Sequence, residues 1–210
     1  MKRAILAMVV AVMGLALAAC ETMSAEECAV ADWRAVGFND ASSNGADRFS
    51  ARAESCAEKG ISADQGAYAS GFADGMTQFC QPPNGFQFAM RGGSFSGSCP
   101  PDLQYDFYAA YNDGRRVHEA QSEISTAESE FEQLRRRYNN FEEDIRNAQA
   151  ALNAATTEED RRRFRDEIEA YRRERRDMED DLDHAERRVY FARRRLDDLH
   201  YDIGARWAPW

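Results

Sequence analysis

Residues 117–203 carry apolar side chains at alternating intervals of three and four, and this pattern constrains the fold more than any other feature of the 210-residue chain. Such spacing lays the apolar residues along one stripe of a helix and predicts a coiled coil. The first stripe comprises Val117, Ala120, Ile124, Ala127, Phe131, Leu134, Tyr138, Phe141, Ile145, Ala148, Leu152 and Ala155. The second, in which Arg175 is the one charged exception, comprises Phe164, Ile168, Tyr171, Arg175, Met178, Leu182, Ala185, Val189, Ala192, Leu196, Leu199 and Ile203.

The two stripes do not belong to one continuous helix, because they are out of phase by two residues. Continuing the first stripe would place Asp166 in the core, whereas the apolar residue there is Ile168. Thr156-Thr157-Glu158-Glu159 has the pattern of a capping box that begins a new helix. We therefore predict an antiparallel helical hairpin over residues 115–203 that turns near 153–157.

The predicted hairpin has three features to test. Matching the two stripes places Tyr138 beside Tyr171, with Arg175 able to lie on a nearby ring. The apolar tip offers a candidate partner contact, although a tight helical turn explains the same residues: Ala151, Leu152 and Ala155. The aromatic residues near the other end are expected to pack on the N-terminal module: Tyr190, Phe191, Tyr201, Trp207 and Trp210. Residues 204–210 are predicted to form an aromatic tail.

Charge excludes one class of partner. The chain has 27 Lys plus Arg against 37 Asp plus Glu, which gives a formal net charge of −10. Nucleic-acid binding needs a basic face, so we predict no nucleic-acid partner. Runs such as 135–137 and 193–195 are all arginine, but interleaved acids make them part of a solvated, ion-paired surface.

The N-terminus has the pattern of an export signal. Lys2 and Arg3 precede an apolar run over residues 4–16, which is too short to cross a bilayer. Leu17-Ala18-Ala19-Cys20 resembles the lipobox of bacterial lipoproteins, in which the cysteine is acylated. We expect residues 1–19 to be the signal, residues 20–23 the tether, and acyl chains on Cys20 the membrane anchor. By analogy with enteric lipoproteins, Glu21 favours the outer membrane, facing the periplasm.

Four further cysteines are predicted to form two disulfides. An even number in an exported chain permits three connectivities. A hairpin of the first two helices brings Cys28 level with Cys56, and closing the Gly-, Pro- and Ser-rich loop 81–101 brings Cys80 to Cys99. We predict these two bonds and no zinc site, since no CxxC spacing is present.

Three similar segments each carry an aspartate as their fourth residue: Gly37 to Ala41, Gly71 to Gly75 and Ala110 to Gly114. The carboxylates of Asp40, Asp74 and Asp113 form a candidate polar cluster for a cation or for acid–base chemistry. The alternative is that they are polar ends of packed helices. We favour this alternative, because no His, Cys or Lys is spaced to assist them.

The N-terminal residues resemble a proteobacterial lipoprotein family, the family of domain of unknown function 2799, over about residues 24–116. The resemblance rests on four cysteines with intervening aromatic and glycine positions: Cys28, Trp33, Gly37, Asp40, Cys56, Tyr68, Gly71, Gly75, Cys80, Pro82, Asn84, Gly85, Gly92, Cys99, Pro100, Phe107, Tyr111 and Gly114. The chain departs from the family pattern at Ala41, Ala89 and Phe95. The resemblance implies an envelope compartment and transfers no catalytic residue.

Together these features predict an all-α protein: a small disulfide-stapled module over residues 24–114, followed by the coiled-coil hairpin. We expect a lipid-anchored envelope protein with a structural or interaction role, with no cofactor and no enzymatic activity. A protein or the cell wall would contact the hairpin tip. The alternatives are a hydrolase that uses the clustered carboxylates and an adaptor whose tip meets an export or channel protein.

Overall fold

A computed structural model describes residues 23–207. The predictions for the signal, for Cys20 and for Trp210 lie outside these residues. The described chain is all-α, with no strand between residues 23 and 207, so the predicted fold class is confirmed. It divides into two compact units between Asn112 and Asp113. No helix within residues 23–207 has the length and hydropathy needed to span a membrane.

Between Met23 and Asn112, the first unit contains five short helices and the start of a long one. They are α1 (Ala25–Val30), α2 (Trp33–Asn44), α3 (Phe49–Ala57), α4 (Gln65–Phe79), α5 (Pro82–Met90) and α6 (Pro101–Ala154). Two apolar clusters form its core. One surrounds Met23, Cys28 and Cys56, and the other surrounds Phe79, Cys80 and Phe107.

Capping residues decide where the first helices begin and end. Ser24 and Glu27 form the predicted capping box at α1. The sequence predicted one helix through Trp33, but the chain breaks after Val30 because the Asp32 carboxylate accepts hydrogen bonds from the amides of Arg34 and Ala35, which begins α2. Gly45, with a φ of 66°, then ends α2 in the left-handed conformation.

Helices α2 and α4 pack backbone to backbone through glycines. A Cβ at Gly71 would collide with the carbonyl group of Arg34, and one at Gly37 would collide with that of Tyr68. Two of the three recurring segments, 37–41 and 71–75, therefore mark a close helix crossing, because only glycine lets two helix backbones approach this far.

Replacing Gly71 with alanine should destabilise the first unit by about 1–3 kcal/mol, because the helices must separate to admit the methyl group. Hydrogen exchange of the α4 amides would measure this loss. Gly66 is the matched control, since a Cβ there meets only the Asp64 carboxylate at 3.5 Å. Its replacement by alanine should be neutral or stabilising. Equal protection of α4 in the two variants would contradict the proposed close contact.

Helix α5 lies within residues 81–101, which were predicted to form a loop. Pro82 stands at the first helical position, where its missing N–H costs nothing, and Phe86 and Ala89 are buried. The remainder of the segment is irregular but anchored. The Tyr111 hydroxyl donates to the Gly93 carbonyl at 3.1 Å and accepts from the Phe95 amide at 3.2 Å.

The second unit is the predicted antiparallel hairpin, formed by the rest of α6 and by α7 (Glu158–Trp207). Only residues 155–157 separate the helices. Thr157 caps α7: its hydroxyl accepts from the Asp160 amide at 3.1 Å and donates to the Asp160 carboxylate at 2.7 Å. The capping box thus begins one residue later than predicted. Every residue of the two predicted stripes is buried or partly buried.

The pairing of the two arms differs from the prediction. Phe141, rather than Tyr138, has its ring against Tyr171, with centroids 6.2 Å apart. Further from the turn, ion pairs join residues that are displaced still more from the predicted pairing, towards the C-terminus of α7. Examples are Glu128 with Arg193 and Glu123 with Arg195. The cause is geometric: helical side chains lean towards the N-terminus of their own helix, so long side chains meet across antiparallel arms from staggered positions.

Candidate functional site

Both predicted disulfides are present. Cys28 is bonded to Cys56, and Cys80 is bonded to Cys99. Each bond lies in a different one of the two apolar clusters of the first unit. The four cysteines after Cys20 therefore staple both halves of this unit and leave no free thiol between residues 23 and 207.

The first disulfide also holds the start of the described chain. Met23 is buried against it, with its sulfur 4.0 Å from the Cys56 sulfur. The Ser55 hydroxyl donates to the Met23 carbonyl at 3.0 Å, and the Lys59 ammonium donates to the Ser55 carbonyl at 2.8 Å. Met23 was not predicted from the sequence to belong to this contact. Its signal was present, because an apolar residue just before the N-cap commonly packs on the fourth helical residue, here Cys28.

Asp40 is the most buried of the candidate carboxylates and has a complete set of partners. Arg52 donates to both of its oxygens, at 2.6 and 2.7 Å, and the Tyr68 hydroxyl donates to it at 2.9 Å. The Arg48 amide in turn donates to the Tyr68 hydroxyl at 3.0 Å. Asp40 therefore joins α2, α3 and α4, and none of this geometry leaves a carboxylate poised for proton transfer.

Burial raises the pKa of the Tyr68 hydroxyl, and its bond to Asp40 raises this pKa further. The unfolded chain should therefore release the Tyr68 proton first, at its ordinary pKa near 10. The contribution of the Tyr68 hydroxyl to the free energy of unfolding is therefore complete below that pH, and it declines as the pH rises towards the folded-state pKa. The difference in unfolding free energy between wild type and Tyr68→Phe should shrink from pH 9 to pH 11, measured with Cys20→Ser in both chains to prevent thiol exchange. A constant difference would contradict this coupling.

Asp74 is exposed and paired with Arg34 at 2.6 Å across α2 and α4. The two side chains border a shallow depression of about 270 Å³ together with Asp32, whose carboxylate already caps α2. The depression is wide open and its carboxylates already accept hydrogen bonds. It therefore lacks the enclosure typical of a small-molecule site.

Asp113 belongs to the second unit, where it closes the open end of the hairpin. Its carboxylate accepts from the Trp207 indole N–H at 3.0 Å and pairs with Arg206 and Arg116, both at 3.2 Å. We call these four residues the hairpin clasp. Residues 204–207 therefore continue α7, whereas the sequence predicted a separate tail.

The three aspartates thus have separate cationic partners, Asp40 and Asp74 within the first unit and Asp113 within the second. Among residues 23–207, no group of three or more His, Cys, Asp or Glu side chains is arranged to hold a metal ion. This geometry supports the interpretation of polar helix ends. Arg52 and Trp207, the residues that satisfy these carboxylates, were missed because no local spacing connects them to Asp40 and Asp113.

The hairpin tip is a compact turn. Ala151, Leu152 and Ala155 are all partly buried, and the Ala155 amide donates to the Leu152 carbonyl at 3.3 Å. Asn153 and Ala154 are exposed beside them. The tip therefore presents a small surface in which the apolar side chains mostly face each other.

Arg175 interrupts the apolar stripe, and its charged end reaches the edge of the hairpin. The guanidinium lies over the Tyr138 ring, 5.7 Å from the centroid, and 3.7 Å from Glu142. Its Nε is buried without a hydrogen-bond partner. Such a donor carries a desolvation cost that the long ion pair does not offset.

Replacing Arg175 with leucine should stabilise the hairpin by about 1 kcal/mol, because the unpartnered Nε disappears and the stripe becomes continuous. Urea unfolding followed by far-ultraviolet circular dichroism would measure the gain. Arg187→Leu is the matched control, since Arg187 is an exposed partner of Asp183 and should give no gain. A destabilised Arg175→Leu chain would contradict the argument.

The prediction that the aromatic residues near the base of the hairpin pack on the N-terminal module is wrong for three of them. Tyr190, Phe191 and Tyr201 are exposed. Tyr190 and Phe191 contact each other edge to face, with centroids 5.4 Å apart. They lie outside the apolar stripe, which the smaller Val189 and Ala192 occupy at this level, so the hairpin closes without them.

The structure therefore defines a class of protein: an all-α chain with a disulfide-stapled helical module and a closed antiparallel hairpin. Within it, residues 32–116 match the family model described as "Protein of unknown function (DUF2799)". The resemblance to this family is confirmed over that segment, which covers less than half of the chain. The curated proteins contain no match. The solved structures contain no match either.

Proposed function

We propose that this chain is an exported, lipid-anchored envelope protein that acts by binding or spacing rather than by catalysis. The observation that carries the proposal is the pairing of all four cysteines after Cys20 in two buried disulfides. Disulfides persist in oxidising compartments such as the periplasm, which is where a lipobox would direct the chain. The destination inferred from Glu21 is the outer membrane.

The carboxylate geometry favours a binding role over the hydrolase alternative. A hydrolase that uses paired carboxyl groups, as retaining and inverting glycosidases do, needs both groups to flank the substrate and one of them to hold a proton. Asp40 is instead saturated by Arg52 and Tyr68, and Asp74 is paired with Arg34. These carboxylates stabilise helix contacts, and the hairpin is the element left to reach a partner.

Acylation is the first test. The chain would be expressed in a bacterium supplied with an alkyne fatty acid, beside a Cys20→Ser control. The proposal expects label on the wild type, no label on the control, and loss of the control from the membrane fraction. An unlabelled wild-type chain, or label that does not depend on Cys20, would contradict lipid anchoring.

The interaction role has a separate test at the hairpin tip. A photo-crosslinking residue would replace exposed Asn153, with the same residue at exposed Ser96 of the first unit as the matched control. A discrete adduct from position 153 alone would support docking through the tip, to a protein or to the cell wall. Adducts from position 96 alone would place the interaction in the disulfide module and leave the hairpin as a spacer.

A further inference from the structure

The described chain begins at a fixed point on the first unit, three residues after the predicted anchor. Met23 is buried, its carbonyl accepts from Ser55, and its side chain packs on the Cys28–Cys56 disulfide. Cys20 and Met23 are separated by three peptide steps, which span at most about 10 Å. An acyl chain on Cys20 would therefore hold this point of the unit within about 10 Å of the lipid headgroups.

We infer that a lipid bilayer faces one side of the first unit, here named the tether face, which is the side on which Met23, Ser55 and Lys59 lie. This inference rests on the proposed acylation of Cys20. Because Met23 is fixed rather than loosely attached, the short tether sets the orientation of the unit as well as its distance from the membrane.

One further feature of the tether face fits a lipid interface. Lys59 is the only lysine beyond residue 2, and its ammonium donates a hydrogen bond to the Ser55 carbonyl. Its position suits the phosphate groups of a membrane surface.

Charge alone does not account for this orientation. Exposed Glu26 and Glu27 on α1, and Glu58 beside Lys59, make the surroundings acidic. Such a face would not bind an anionic membrane from solution. The covalent anchor and the Met23 contacts must therefore set the orientation together, and the chain without a lipid attachment should not bind vesicles.

The orientation can be measured independently of native acylation. The mature chain, residues 20–210, would be coupled through the Cys20 thiol to phosphatidylcholine vesicles that contain a maleimide lipid. A fluorophore would be attached through an encoded azide side chain at exposed Glu58 or, as the matched control, at exposed Arg91. Arg91 follows α5, beside the apolar cluster that surrounds Phe79. Phe79 lies about 16 Å along α4 from Tyr68, which belongs to the cluster that surrounds Met23.

Nitroxide-labelled headgroups should quench the fluorophore at position 58 about threefold more strongly than that at position 91, given the tether length and this separation. Equal quenching, or stronger quenching at 91, would overturn the inference. Met23→Ser with Ser55→Ala should abolish the difference, with both disulfides verified by mass spectrometry. A persisting difference would show that the Met23 contacts do not set the orientation. A failed acylation test would contradict the proposed function without altering this result.

Discussion

Replacing Asp40 with alanine should lower the free energy of unfolding of the first unit by about 3 kcal/mol. Asp40 is 7% exposed and Arg52 is 22% exposed, so the change leaves a largely buried guanidinium without its anion. The Tyr68 hydroxyl loses its acceptor at the same time. The hydrogen bonds from Arg52 that now raise the pKa of that guanidinium would also vanish. Segment-resolved hydrogen exchange of α2, α3 and α4 would report the loss separately from the hairpin.

The matched control is Asp74→Ala. Asp74 makes an equally short ion pair with Arg34, but the two side chains are 53% and 64% exposed, so its loss should cost less than about 1 kcal/mol. The double replacement Asp40→Asn with Arg52→Met should recover part of the stability, because it removes the unpaired charge. Similar losses for Asp40→Ala and Asp74→Ala would contradict the proposed role of burial.

Removing the Cys28–Cys56 disulfide by a pair of alanine replacements should cost the first unit about 3 kcal/mol. The bond closes a loop with a sequence separation of 28, whose entropy in the unfolded chain it restricts. Both sulfurs are buried, and Met23 packs on them. Removing the Cys80–Cys99 bond as well should unfold the unit at 37 °C, because so small a domain has few other sources of stability.

The hairpin supplies the internal comparison for this experiment, since residues 113–207 contain no cysteine. Far-ultraviolet circular dichroism should therefore retain the helical signal of α7 while hydrogen-exchange protection of α2 and α4 is lost. Cys20→Ser controls for the loss of a cysteine that belongs to neither disulfide. A four-alanine chain that keeps full protection of α4 would show that packing alone folds the unit.

Much of this fold could be predicted because its patterns are local and repetitive. The stripe of the hairpin depends only on spacing, and no residue in it is fully exposed. The disulfides could be predicted because each joins segments that short connections already bring together. The register of the hairpin was less accessible: the turn lies at residues 155–157, and the lean of the side chains then displaces each cross-arm contact.

The missed features depend on contacts distant in sequence or on mixed signals. The composition of residues 81–101 indicates a loop, yet Pro82 at the first helical position and buried Phe86 suffice to form α5. Nothing near Asp40 indicates that Arg52 would neutralise it, and nothing near Asp113 indicates Trp207, 94 residues away. The roles of these carboxylates became clear only from their partners.

Because the hairpin clasp joins the two arms at their open end, the lengths of the arms must stay matched. An insertion of seven residues in one arm would keep its own stripe in phase, but it would carry Trp207 about 10 Å past Asp113 and open the clasp. Equal insertions in both arms would preserve the stripe, the turn and the clasp together. Natural variation in the length of this element should therefore proceed in matched heptads, each of which moves the tip outward by about 10 Å.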